Sequence, residues 1–109
     1  MAYDEGLAAL MREDLADLSG ISEKRMFGGL CFLLNGNMLC GIHKNGAMYR
    51  VGKDNHAAAK AVPGASDMAF TGRKMGGMID VSDEGFAEDD ARAEWLRLAL
   101  DFVAPLPAK

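Results

Sequence analysis

Apolar residues at the start of the chain recur at a spacing of three and four positions, which is typical of one face of an amphipathic helix. This spacing predicts a helix over residues 4–18. Asp4 is placed to cap its first turn, and Gly20 lies just past its end. The stripe consists of Leu7, Leu10, Met11, Leu15 and Leu18.

Two Asn-Gly dipeptides follow, Asn35-Gly36 and Asn45-Gly46, and each stands between apolar runs. A two-residue type I′ hairpin loop needs positive φ at both central residues, and Asn-Gly is the sequence that best meets this demand. The two dipeptides therefore predict three consecutive antiparallel strands over residues 25–34, 37–43 and 47–51.

Residues 21–24 are expected to link the first helix to these strands. Gly28-Gly29 then lies inside the first strand and predicts a bulge, a strong twist or a close backbone approach there.

The two loops also set which side chains share a face of the sheet, because a slip by one residue would exchange the faces. With this register Cys31 pairs with Cys40, and Cys40 with Val51. One face carries no charge and is assigned to the core beneath the helices. That face holds Phe27, Cys31, Leu33, Met38, Cys40, Ile42, Tyr49 and Val51.

The opposite face is also largely apolar, although an antiparallel sheet often leaves one face to solvent. Large contiguous apolar patches are uncommon on monomers, and two-fold dimers are the commonest way to cover one. We therefore expect a homodimer, with the last helix of the same chain as the competing cover. The expected dimer face consists of Met26, Leu30, Phe32, Leu34, Leu39 and Met48.

The second half of the chain predicts a short helix, a hairpin and a long helix. The short helix covers residues 54–62, with Asp54 as its cap, and the hairpin pairs residues 68–72 with residues 75–81. The acidic run 88–90 suits the first turn of the last helix, where the helix dipole favours negative charge. That helix carries two apolar stripes, and Pro105 follows its end.

The predicted order is therefore helix, three strands, helix, two strands, helix. Strands grouped in runs favour an α+β fold with two layers, in which helices lie on one side of an antiparallel sheet. The chain has 109 residues, which fits a single domain over residues 1–109.

Composition and charge narrow the class of protein. The net charge of −4 argues against direct nucleic-acid binding, which normally needs a basic surface. The first residues lack the pattern of a signal peptide, and no apolar run approaches the ~20 residues of a membrane span. Two cysteines fit a reducing compartment, so a cytoplasmic protein is expected.

Four motifs together resemble the TfoX N-terminal domain family. They are Arg25-Met-Phe-Gly-Gly, Met48-Tyr-Arg-Val51, Phe70-x-Gly72-Arg73-x-Met75 and a last helix bearing Trp95. The resemblance covers nearly the whole chain and implies a two-layer fold of the secretion-chaperone-like kind. TfoX, also called Sxy, regulates DNA-uptake competence together with a transcription factor. The resemblance thus implies a non-enzymatic, regulatory protein-interaction domain with a transcription-related partner.

Four basic residues, Arg25, Arg50, Arg73 and Lys74, fall at strand ends or on the face away from the core. Guanidinium groups bind carboxylates and phosphates through paired hydrogen bonds, so a small-ligand or anion site is one interpretation. The other interpretation is a set of solvated or salt-bridged charges in a chain with 16 acidic residues, and the charge balance favours it.

No residue set predicts catalysis, a cofactor or a metal. His43 and His56 have no Ser, Cys or carboxylate at the spacing of a recognised motif. A zinc site needs about four ligands, and in this register the two cysteines and two histidines do not converge. An enzyme is therefore not expected, since no nucleophile–base pair is evident.

Cys31 and Cys40 allow two interpretations in the predicted hairpin. As a non-hydrogen-bonded cross-strand pair, their Cα atoms would lie ~4.5 Å apart, which permits a strained, easily reduced disulfide and a redox switch. As two reduced thiols, they would simply pack as small apolar residues. Burial of their face favours the second interpretation.

Overall fold

The structure is a computed structural model that describes residues 3–26, 28–70 and 73–109. The described residues form six strands and four helices. Side chains are described over the same ranges except at residues 69, 70 and 73–75. In chain order the elements are α1 (Glu5–Asp14), β1 (Ile21–Met26), β2 (Gly29–Leu34), β3 (Asn37–His43), β4 (Gly46–Arg50), α2 (His56–Lys60), β5 (Ala65–Phe70), β6 (Arg73–Ser82), α3 (Asp83–Phe86) and α4 (Asp89–Val103).

The strands form one antiparallel sheet in the order β1-β2-β3-β4-β6-β5. The predicted α+β class is confirmed. The predicted element order is matched only in part, because four strands precede α2 instead of three, and two helices follow the last hairpin instead of one.

The extra strand lies in the stretch predicted as a linker and one long strand. β1 and β2 pair antiparallel with Met26 opposite Gly29, so the chain reverses direction between these two residues. Gly28 has a φ of 73°, a backbone conformation that glycine adopts readily and that strains residues with a side chain. Phe27, predicted to lie in the core, falls outside the described residues.

The turn at Asn35-Gly36 confirms the first Asn-Gly prediction. Its two central residues have φ of 52° and 86°, as a type I′ turn requires. Leu34 pairs with Asn37 and Leu33 with Met38, as expected.

Beyond those two pairs the predicted register is wrong. Phe32 pairs with Cys40, which leaves Leu39 as one extra residue on β3. Such a bulge reverses the alternation of one strand against the other. Relative to Cys40 and Ile42, which lie on the predicted face, every residue of β2 therefore lies on the face opposite to the predicted one, including Cys31 and Leu33.

The larger hydrophobic cluster lies between the sheet and the helices, and we call this side the helix-covered face. Four residues predicted for the dimer face belong to this cluster, so that assignment is wrong for them. They are buried within the chain itself: Leu30, Phe32, Leu34 and Leu39.

The second Asn-Gly dipeptide does not form the loop of its hairpin. His43 pairs with Gly46, so the two loop residues are Lys44 and Asn45. Gly46 opens β4 instead, where a Cβ would collide with the Val81 carbonyl of β6. The shift changes each predicted pair by two residues and therefore leaves the faces of β3 and β4 unchanged.

The starts of α1 and α4 agree with the predicted charges, whereas the predicted start of the second helix is wrong: α2 begins at His56 after Asn55, and Asp54 is not its cap. Asp4 caps α1 by accepting a hydrogen bond from the Gly6 amide at 2.7 Å. Acidic residues fill the first turn of α4, in accord with the helix dipole. From α4 the Trp95 indole packs on Tyr49, with ring centroids 5.9 Å apart, and its Nε1 donates to the Ala59 carbonyl at 3.0 Å. α4 thus fixes α2 to the sheet.

The opposite side of the sheet carries a smaller cluster built from strand residues alone, which we call the methionine face. Its buried members are Cys31, Met48, Met68 and Met78, with the partly buried Met26 and Met38 against them. Every buried apolar helix residue within the described ranges belongs to the larger cluster instead. No helix within the described residues is long and apolar enough to cross a membrane.

Candidate functional site

A cleft of about 330 Å³ opens beside the end of β4, close to the lower limit of the ~300–1,000 Å³ typical of small-molecule sites. β4, the loop after it, the middle of β6 and the end of α4 form its walls. The lining residues are Arg50, Gly52, Lys53, Asp54, Gly76, Gly77, Met78 and Phe102.

Glycines shape this cleft. Gly52 and Gly77 have φ of 81° and 86°, a backbone conformation that other residues rarely adopt. The Gly77 carbonyl accepts hydrogen bonds from the amides of Val51 at 2.8 Å and Gly52 at 3.0 Å. A Cβ at Gly52 would collide with the Phe102 ring, so the ring sits directly on the backbone. β4 therefore ends here and the chain turns away from β6.

Arg50 is the half-buried cation of the cleft. Its guanidinium carbon lies 5.3 Å from the centroid of the Phe102 ring, within the range of a cation–π contact. Its Nη1 donates to the Met38 carbonyl at 3.5 Å, the outer limit of a hydrogen bond. No carboxylate of the described residues forms an ion pair with it, which leaves most of its donors for a ligand.

Two charged residues stand at the rim of the cleft, Lys53 and Asp54, and both are exposed. The Lys53 side chain lies along Gly76, whose position for a Cβ is 3.6 Å from the Lys53 Cε. With Arg50, the described side chains of the lining carry two positive charges and one negative. The cleft is therefore locally positive in a chain of net charge −4.

His56 binds the backbone of Gly77, one of the cleft-lining residues. Its Nδ1 accepts a hydrogen bond from the Gly77 amide at 3.2 Å, and its Nε2 lies 2.9 Å from Asp67 Oδ1. An accepting Nδ1 assigns the ring proton to Nε2, which then donates to the carboxylate. This pattern makes His56 a structural support for Gly77.

His43, the last residue of β3, is bonded in the same way. Its Nδ1 accepts from the Asn45 amide at 3.1 Å, and its Nε2 lies 2.6 Å from Asp80 Oδ1 and 3.1 Å from the Ala47 carbonyl. Both ring nitrogens are therefore engaged within the fold, whereas a general base needs one that faces the substrate. Within the described residues, no three His, Cys, Asp or Glu side chains are grouped to hold a metal ion.

Of the four predicted binding residues, the two with described side chains do not lie together. Arg50 lines the cleft, whereas Arg25 is exposed on the edge strand β1, where it pairs with Leu30 of the helix-covered face. Arg50 pairs with Met78 of the methionine face, so Arg25 and Arg50 lie on opposite faces of the sheet, and the prediction that these two act together is wrong. The side chains of Arg73 and Lys74 lie outside those described.

The predicted cysteine pair is also wrong, for the same bulge at Leu39. Cys31 pairs with Gly41, and Cys40 belongs to the helix-covered face while Cys31 belongs to the methionine face. Both thiols are free and buried. Burial raises the pKa of each thiol above its usual range, most strongly for Cys40, which is fully enclosed. They are two packed thiols on different faces.

Of the eight residues that line the cleft, the sequence predicted only Arg50 as a binding residue, and the other seven include Gly52, Lys53 and Phe102. Phe102 lies in the last helix, whose apolar stripes are typical of core packing, and Gly52 follows the predicted strand 47–51. An available signal was a glycine two positions after Arg50, directly after the predicted strand 47–51. Nothing in local spacing links that glycine to a phenylalanine fifty residues later.

Comparison with known proteins gives one match. The family described as the TfoX N-terminal domain matches residues 13–103, which is most of the chain. No curated protein and no solved structure matches this chain. The matched range contains every residue of the cleft and the whole methionine face.

Proposed function

The chain belongs to the TfoX N-terminal domain family, and from this premise we propose that it is a non-enzymatic, regulatory protein-interaction domain of the cytoplasm. The family points to a regulatory or competence-related role. Its partners in this proposal are a second copy of the chain and a transcription-related protein.

The observation that carries the proposal is the methionine face. It is a sheet face with five methionines, and within the described residues no buried helix residue packs against it. Methionine side chains are unbranched and polarizable, so they adapt to partners of different shape. Met38 and Met26 are the members that remain partly exposed.

The bonding of the histidines supports a role without catalysis. Each of the two rings uses both nitrogens within the fold, and each cysteine is buried with a raised pKa. Groups held in this way serve structure better than proton transfer or nucleophilic attack.

Affinity capture from the native cell tests the proposal when it compares two matched variants. Met38→Glu places a charge on the methionine face, and Leu96→Glu places one at a half-buried position of α4 on the other side. We expect Met38→Glu to lose partners that the unmodified chain and Leu96→Glu retain, as identified by mass spectrometry. Equal capture by both variants would remove the methionine face from the proposal.

A second candidate function is a small-ligand or anion-binding protein, and the cleft beside Arg50 favours it. A concave site with a convergent positive charge is what such a function requires. The first function needs a surface and the second needs a cleft. Met78 belongs to both, but the Met38 side chain belongs to the methionine face alone and Arg50 to the cleft alone, so variants of these two residues test the functions separately.

A further inference from the structure

We propose that the cleft beside Arg50 binds a small organic oxyanion, a carboxylate or a phosphate monoester. Its charged end meets the Arg50 guanidinium, and its apolar part lies against Phe102 and Met78. The inference rests on the second candidate function and goes further, because it names the ligand class and the group that binds each part of the ligand.

The first argument is the availability of the Arg50 charge. The other arginines with described side chains form ion pairs at 2.9 Å or less, apart from the exposed Arg25. Arg50 is half-buried, forms none with a described residue, and makes one long hydrogen bond to a carbonyl. Burial of a guanidinium without a carboxylate is costly, and a bound oxyanion would offset that cost.

The second argument is that the guanidinium is held in place before any ligand arrives. Phe102 is fixed on the backbone of Gly52, and Arg50 lies on Phe102. A planar, positioned guanidinium offers two parallel donors to a carboxylate or phosphate. Since little side-chain freedom remains to be lost, binding costs less entropy.

The third argument concerns the apolar part of the ligand. Phe102 and Met78 line the cleft together with glycines, so the walls around the cation are apolar side chains and bare backbone. A volume of about 330 Å³ holds a small organic molecule and exceeds what a single inorganic ion needs. The site thus fits an anion attached to a compact hydrophobic group.

The charges at the rim limit the ligand's charge. Lys53 adds a second cation, while Asp54 places a carboxylate beside it. The described side chains of the lining therefore sum to one positive charge. This balance favours one anionic group per ligand and disfavours a polyphosphate.

The test is a titration followed by amide chemical shifts in ¹⁵N-labelled protein. Phenyl phosphate and benzoate are the organic oxyanions, inorganic phosphate is the anion without an apolar part, and benzyl alcohol is the neutral analogue. We expect saturable shifts at the amides of Gly52, Lys53, Gly76 and Gly77 with at least one organic oxyanion. Inorganic phosphate should bind more weakly, and benzyl alcohol should not saturate.

Variants assign the binding to Arg50. Arg50→Gln should weaken binding about tenfold or more, the loss expected for one charge-assisted contact. Arg97→Gln is the matched control, because Arg97 lies on the exposed side of α4 and should leave binding unchanged. If Arg50→Gln loses its dispersed spectrum, Lys53→Gln replaces it, since that side chain is exposed and should weaken binding by a smaller factor.

Three results would overturn the inference. Absence of saturable shifts with both organic oxyanions would remove it together with the second candidate function. Equal binding by Arg50→Gln and the unmodified chain would place the anion elsewhere. Inorganic phosphate binding as tightly as phenyl phosphate would remove the organic ligand class while leaving an anion site.

Discussion

Arg92 joins three helices through one buried guanidinium. Its Nε donates to Asp14 at 2.9 Å, its Nη2 to Asp89 at 2.8 Å and its Nη1 to the Phe86 carbonyl at 3.0 Å. The hydrogen bond to Asp14 is the main cause of its raised pKa. Arg92 is 7% exposed, so α1, α3 and α4 meet around a charge that is nearly removed from water.

Replacing Arg92 by Met should lower the free energy of unfolding by about 3 kcal/mol, because a buried pair that loses one partner leaves the other charge unpaired. The lower end of the usual range applies, since Asp14 keeps 23% exposure and some hydration. Chemical denaturation measures the change. Arg97→Met is the control, because its pair with Glu94 lies in solvent, and it should unfold like the unmodified chain. Equal effects of both substitutions would contradict the role assigned to Arg92.

At the scale of elements, one extra residue in β3 sets which side chains of β2 face the helices. Before the bulge at Leu39 the predicted pairs hold, and after it Phe32 lies opposite Cys40. Phe32 is 1% exposed beneath the helices, whereas its neighbour Leu33 is only half-buried on the other face. Adjacent residues of one strand therefore differ sharply in burial.

This difference gives a matched pair of substitutions. Phe32→Glu should lower the free energy of unfolding by more than ~4 kcal/mol, since it removes a buried ring and buries a charge. Leu33→Glu should stay folded, because its side chain reaches solvent. Thermal unfolding followed by circular dichroism measures both. The reverse order of stability would restore the register without the bulge, in which Phe32 lies at a dimer interface.

At the scale of the molecule, the sheet has unequal sides. The helix-covered face holds every buried apolar helix residue that the structure describes, and the methionine face holds strand residues alone. Much of the surface once expected to form a dimer is buried within the chain. The proposed homodimer therefore rests on the partly exposed Met26, Met38 and Leu33.

Sedimentation velocity at micromolar concentration tests the homodimer. We expect the unmodified chain to sediment as a dimer and Met38→Glu as a folded monomer, because a charge on the methionine face opposes its burial. Leu96→Glu should remain dimeric. A sharp monomer for the unmodified chain would end the homodimer prediction and leave the methionine face to a different partner.

The sequence alone determined the features that depend on local chemistry. Asp4 as a cap, the acidic start of α4 and the type I′ turn at Asn35-Gly36 each follow from a few adjacent residues. The α+β class followed from the grouping of strands, and the motifs indicated the family that the match over residues 13–103 shows. The cap, the acidic helix start and the turn are fixed by residues close together in the chain, and the class and the family follow from the order in which such local patterns occur along it.

Tertiary structure alone decided the register, and with it the faces and the site. The bulge at Leu39 has no turn signal, because it depends on how β3 fits both β2 and the helices. Gly46 opens a strand because β6 approaches it closely, although its dipeptide is typical of a turn. Arg50 lines a cleft because the fold places Phe102 beside it, and these two residues are far apart in sequence. Local patterns predict elements, but a one-residue shift in pairing, which exchanges core and surface, is settled only when the layers pack.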